Sequence, residues 1–227
     1  MLPGICGMMA GLGGPSPELV MENQLVSTSA THTYSGVSLG GLVVVAIGWT
    51  MDSGTARTVS SATIGGQAAI VNCQINDAAS TAPGVAIISA LVSTPTTGDI
   101  VINFSGTIHR SSVGAYRAVN CNGATPTDTA TGISGVISGT SGSKTVNLDV
   151  AAGGFVIASG LASSFNTTTI SFSAGVSEDY ENVTSSIRAN GGSANDLAAQ
   201  VNLPVTVSGT SNVAGGWGLF VAAASFR

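Results

Sequence analysis

Gly40-Gly41-Leu42-Val43-Val44-Val45-Ala46 is answered later in the chain by Gly153-Gly154-Phe155-Val156-Ile157-Ala158-Ser159. Val43, Val45 and Ile47 alternate with Val44 and Ala46, so a strand through this stretch is apolar on both faces. Such a strand belongs at the centre of a sandwich, under a second layer or at a subunit interface. Three further pairs keep the same order. Ser61-Ala62-Thr63-Ile64 is answered by Thr167-Thr168-Thr169-Ile170, and Ile102-Asn103-Phe104-Ser105-Gly106-Thr107 by Val205-Thr206-Val207-Ser208-Gly209-Thr210. Gly114-Ala115-Tyr116-Arg117-Ala118-Val119 is answered by Gly218-Leu219-Phe220-Val221-Ala222-Ala223.

The alternating pattern predicts strands near 24–28, 31–39, 41–50, 57–64, 67–74, 84–93, 98–105 and 112–121. A second set follows near 133–138, 143–150, 154–161, 166–173, 179–189, 196–202, 203–209 and 216–226. The separators are turn signals such as Asp52-Ser53-Gly54, Gly65-Gly66, Gly139-Thr140-Ser141-Gly142 and Asn190-Gly191-Gly192. Closely spaced strands with no helical stripe predict an all-β fold, a two-layer antiparallel β-sandwich of jelly-roll type. It is expected to be built from two similar halves, 37–121 and 146–226. Trp49 and Trp217 both read as core-facing, so the halves are expected to share one core in a single domain, 21–227. A short helix could also fit within 194–201, as an alternative to the strand near 196–202.

Residues 1–20 form an extended N-terminal arm, because Gly4, Gly7, Gly11, Gly13, Gly14, Pro3, Pro15 and Pro17 oppose a helix. Its apolar side chains gain about 1.5–3 kcal/mol each on burial. Ordering the backbone costs about 1–2 kcal/mol per residue. Apolar contact alone does not fix the arm, so it needs backbone hydrogen bonds too, to a neighbour's sheet edge or groove. Leu2, Ile5, Met8, Met9 and Leu12 are therefore the expected anchoring, partner-binding residues. The alternative is an arm folded back on its own sandwich. Cys6 lies in this arm and is the candidate for an intermolecular disulfide.

Charged residues make up only 7% of the 227 residues, against 44% hydrophobic. The apolar content excludes a disordered chain, and the low charge favours assembly with neighbours, because little charge must be desolvated. A net charge of −5 with no basic run excludes a nucleic-acid footprint. Cys6, Cys73 and Cys121 are widely spaced and form no zinc pattern. Cys73 and Cys121 end predicted strands, where a small buried hydrophobe is the ordinary role. No apolar run is long enough for a membrane span.

His32 and His109 are the only histidines. No nucleophile elbow accompanies them, and His109-Arg110 reads as a solvated loop pair. Glu178-Asp179-Tyr180-Glu181 is the one acidic cluster. Strand alternation would send Glu178 and Tyr180 one way, Asp179 and Glu181 the other, on an edge strand whose charges discourage stray pairing. The spacing fits neither paired glycosidase carboxylates nor an EF-type calcium loop. Arg110, Arg117, Tyr34 and Tyr180 are candidates for a shallow sugar site. Asn166-Thr167-Thr168 and Asn182-Val183-Thr184 match the glycosylation sequon. No catalytic, cofactor-binding or metal-ligating residue is assigned, and no cofactor or enzymatic activity is expected.

Thr58-Val59-Ser60-Ser61-Ala62-Thr63-Ile64-Gly65-Gly66-Gln67-Ala68, Gly98-Asp99-Ile100-Val101-Ile102 and the closing Trp217-Gly218-Leu219-Phe220-Val221-Ala222-Ala223-Ala224-Ser225-Phe226 resemble small β-sandwich virion proteins of tailed bacteriophages. The opening Met1-Leu2-Pro3-Gly4-Ile5 is similar to the starts of phage tail-fibre and accessory virion proteins. The resemblance covers about residues 37–226. It implies a structural virion protein, often a homotrimer, that decorates a capsid or sits on a tail or collar fibre. Other virion proteins would be its partners through the arm. The alternatives are a lectin-like module binding a host surface glycan at a fibre tip, and a secreted bacterial adhesin subunit.

Overall fold

The computed structural model describes residues 15–51, 54–78, 82–121, 123–164, 166–184 and 187–227. The first half comprises β1 (Pro17–Thr50), β2 (Val59–Ile64), β3 (Gln67–Ala68), β4 (Ile70–Asn76) and β5 (Gly84–Ala118). β1 and β5 are long because each runs through one layer, crosses to a second and returns. Residues 110–118 of β5 lie between 17–26 and 41–50 of β1, residues 84–92 pair with the other side of 41–50, and β4 pairs with 84–89. In the second layer, 31–39 of β1 pairs with 96–103 of β5, which pairs in turn with β2 and its hairpin partner β3. The return bend of β1 uses Gly40 and Gly41, whose φ angles are 150° and 70°, a region L side chains rarely adopt.

The second half comprises β6 (Asp128–Ile133), β7 (Ser141–Val150), β8 (Gly154–Ala162), β9 (Thr167–Ala174), β10 (Ser177–Thr184), β11 (Ile187–Leu197), β12 (Gln200–Ser211) and β13 (Leu219–Phe226). Its large sheet has the order β6-β13-β8-β11-β10 and its small sheet β7-β12-β9. Counting eight strand segments in each half, both large sheets read first, eighth, third, sixth, fifth, and both small sheets read second, seventh, fourth. Every pair of matched sequence phrases falls on equivalent segments. The fold is an all-β antiparallel sandwich of two similar halves.

The layer count differs from expectation. Each half has its own core between its two sheets: one around Val43, Val45, Ile47, Trp49, Ile100 and Ile102, the other around Val156, Ala158, Val205, Val207, Trp217 and Leu219. A third cluster joins the outer faces of the two large sheets through Leu42, Val44, Ala46, Phe155, Ile157, Leu161, Phe220 and Phe226. The molecule is four layers thick, small–large–large–small, and Trp49 and Trp217 belong to separate cores. Both faces of 41–50 are apolar because one faces its own small sheet and the other faces the second half.

Tyr180 closes one side of this seam. A Cβ on Gly114 or on Gly191 would overlap its ring, so the ring is held between a glycine of each half. Gly48 has the same role at the centre, where a Cβ would lie 3.1 Å from Leu161 Cδ1 and 3.2 Å from the Ala189 Cβ. Polar groups cross the seam as well: Ser159 Oγ donates to the Ile47 carbonyl (3.0 Å) and Asn182 Nδ2 donates to Ser112 Oγ (2.9 Å).

Asn190-Gly191-Gly192 is not a turn. It lies inside β11, and the expected strand 179–189 is instead two strands, β10 and β11, paired antiparallel. Those glycines answer close packing by Tyr180, Val176 and Phe172 rather than a chain reversal. The alternative of a helix within 194–201 does not hold: β11 runs to Leu197 and β12 starts at Gln200. Near the end of the expected arm, Pro17, Glu18 and Leu19 pair with β5.

The seam makes a quantitative prediction. Tyr180→Ala should cost about 3–5 kcal/mol, as for other large buried aromatics, and Gly114→Ala about 1–3 kcal/mol through overpacking. In the double variant, the alanine Cβ occupies space the ring has vacated. Guanidinium unfolding of the four proteins should therefore give strongly non-additive losses, with Gly114→Ala close to neutral in the Tyr180→Ala background.

Candidate functional site

Ser111 begins the last segment of β5, and His32 begins the second segment of β1 just after its first crossing. The topology brings them together, with Ser111 Oγ on His32 Nδ1 and the Tyr34 hydroxyl on Ser111 Oγ. His32 Nε2 meets the Ser27 carbonyl at 3.0 Å. All three side chains are buried, and Phe104 meets the imidazole edge-on at a centroid distance of 5.8 Å.

The proton arrangement follows from the partners. The Ser27 carbonyl only accepts, so Nε2 carries the imidazole proton and Nδ1 is the acceptor. Ser111 must then donate to Nδ1, and Tyr34 must donate to Ser111. Burial holds the His32 pKa below its ordinary 6.5, opposed in smaller measure by the bond to Ser27. Burial likewise pushes the Tyr34 phenol far up. A serine hydroxyl donating to a neutral imidazole is the ground state of nucleophilic catalysis. Here the far side of the imidazole is held by a carbonyl, and the serine is closed inside a core. The chemistry of this constellation is fastening: it ties the crossing of β1 to the crossing of β5.

The acidic cluster lies on β10, an edge strand, as the charge pattern implies. Its facing differs from simple alternation. The ladder slips between Glu178 and Tyr180, where Glu178 opposes Gly192 and Tyr180 opposes Gly191. Asp179 is the bulged residue, and the slip puts Glu178 and Glu181 on the same face. Glu178 accepts from Asn190 Nδ2 (2.8 Å), and Glu181 pairs with Arg188 (2.8 Å). No group of three or more His, Cys, Asp or Glu side chains able to hold a metal ion occurs among the described residues.

The four residues of the expected sugar site are not an open platform. Tyr34 and Tyr180 are buried, and Arg117 pairs with Glu18 at 2.8 Å. His109 and Arg110 are half-buried within β5, not in a loop, because β5 continues through its crossing. Of the sequons, Asn166 is exposed, whereas Asn182 is bound to Ser112 in the seam. Leu2, Ile5, Cys6, Met8, Met9 and Leu12 lie outside the described residues. No helix among the described residues is long and apolar enough to cross a membrane.

No family model, curated protein or solved structure matches this chain.

The broad outer faces are the remaining candidate surfaces. On the second small sheet, Thr145 meets Thr206 (2.8 Å), Thr169 meets Thr210 (2.7 Å) and Ser173 meets Ser208 (2.9 Å). On the first, Thr31 donates to Asn103 (2.8 Å), which donates to Ser61 (3.1 Å). These are rows of neutral groups joined across strands. Their alignment into rows depends on strand register, which composition does not specify.

The cysteines allow a direct check. Cys73 and Cys121 are free and pack against the seam. Burial pushes the Cys73 thiol up to about 12 and the Cys121 thiol up to about 11. At pH 8 both should alkylate with iodoacetamide at least about tenfold more slowly in the folded protein than in denaturant, as read by peptide mass spectrometry.

Proposed function

We propose that this protein is a non-enzymatic structural subunit of a tailed-phage particle, held by the segment before Pro15 and packed with copies of itself on the particle surface. The observation that carries the reading is the four-layer slab with neutral hydroxyl and amide rows on its two broad faces. Such faces lie against neighbours with little charge to desolvate, and the apolar seam fixes the two halves as one stiff block. The polar side chains with unusual environments, His32, Ser111 and Tyr34, are committed to holding the fold. The anchoring residues remain Leu2, Ile5, Met8, Met9 and Leu12, and the resemblance to virion sandwich proteins supplies the setting.

A second reading, recognition of a neutral glycan, is favoured by a shallow cleft of 280 Å³ lined by Gly65, Gln67, Val92, Ser93, Thr94 and Thr96. Binding on a glycan array, lost in Gln67→Ala, would support it.

The structural reading is tested by truncation. A chain lacking residues 1–14 should melt as cooperatively as the full chain and should no longer be recovered with gradient-purified particles. Recovery of the truncated chain at the full-length level overturns the anchoring role. Absence of the full-length chain from the particles overturns the reading as a whole.

A further inference from the structure

We propose that the His32–Ser111–Tyr34 constellation is an acid-sensitive latch that holds the N-terminal strand segment, residues 17–26, on the body of the protein. The latch sits where it can do this. Among the described residues, 17–26 form an edge of the first large sheet, paired on one side with 110–118. Their apolar members Leu19, Val20, Met21 and Leu25 are only partly buried. Ser27 directly follows the segment, and its carbonyl is the acceptor for His32 Nε2.

The hydrogen-bond directions make the latch intolerant of a proton. With Nε2 already donating to Ser27, a second proton must go to Nδ1, where Ser111 now donates. Ser111 would have to turn its hydroxyl proton away, while Tyr34 still donates to the same oxygen. The site is buried, so the displaced donor has lost its partner and the imidazolium has lost its water. When the segment swings away, Ser27 leaves with it and the ring reaches solvent, where it protonates normally.

Among the described residues, the groups around the ring bring no opposing charge into hydrogen-bond contact with it. They are Ser27 and Tyr34 on β1, and Ser111 and Phe104 on β5. His109 and Arg110 precede Ser111 on β5. From the second half, Tyr180 covers Gly114 on the opposite face of the sheet, where Glu22 is the register partner of Gly114.

The second half supplies the comparison. Its equivalent edge strand is β6, and its equivalent corner is fastened by Trp217, whose Nε1 donates to the Gly139 carbonyl at 2.9 Å beside the Ile137–Trp217 bridge. An indole donor does not titrate. The two edges therefore differ in acid response: residues 17–26 loosen, and residues 128–133 do not.

The sign is that of a histidine held neutral in the closed state. The open state binds more protons below its ordinary pKa of about 6.5, so closure is fully favoured above that pH and weakens below it. Hydrogen exchange on the full chain, corrected for intrinsic rates, should show peptides from 17–26 losing about tenfold protection between pH 7.5 and 5.5. Peptides from 128–133 should keep theirs. His32→Asn should abolish the pH response of 17–26, and His109→Asn should retain it. Equal loss at both edges, no loss at 17–26, or an unchanged response in His32→Asn would overturn the latch. The comparison of the two edges needs no variant, so it stands if His32→Asn does not fold.

Discussion

Two sheets that are apolar on both faces must each be covered twice, and this constraint organises the molecule. Each large sheet covers one face with its own small sheet. The other face needs a partner of the same size and chemistry, and the other half provides it. The contacts are reciprocal: β4 of the first half packs on β6 and β13, while β10 of the second half packs on β1 and on Gly114 of β5. Fifth strands thus meet first and eighth strands in both directions. This is the pattern of an isologous two-fold interface, made here within one chain. The seam is therefore comparable to a homodimer interface whose subunits are joined by the segment between residues 118 and 128.

Reciprocity has not kept the two halves identical. Tyr180 fills one side of the seam by lying between two glycines, whereas on the other side Cys73 donates weakly to the Ala223 carbonyl at 3.6 Å. A ring of that size requires glycine at two strand positions, and strand glycines carry an entropic cost of about 0.5–1 kcal/mol each relative to alanine. The aromatic burial exceeds it.

Much of the architecture was legible because a both-face-apolar strand and an ordered set of repeated phrases are properties of local sequence. What covers a second apolar face is not local. Val44 and Ala46 fit one shared core, a subunit interface or a fused second half equally well, so the number of layers needed the structure. Asn190-Gly191-Gly192 misleads for a related reason: glycine marks a turn and a close approach with the same letter, and only the position of Tyr180 distinguishes them. The slip at Asp179 turned the acidic cluster about, because alternation holds only while the ladder is regular. His32, Tyr34 and Ser111 are individually unremarkable in sequence, and their juxtaposition arises from two chain crossings far apart in the chain.

Those crossings explain why the polar residues are found where they are. In a sandwich whose strands pass between layers, the backbone at each crossing leaves one ladder before joining the next, and its polar groups need side-chain partners. The first half meets that need with an imidazole and two hydroxyls, the second with an indole and a backbone carbonyl. Both solutions tie the crossing after the first strand segment to the crossing before the eighth. They differ in one physical property, the ability to take up a proton. A duplicated fold can in this way keep one edge indifferent to pH and make the other responsive, without changing either core.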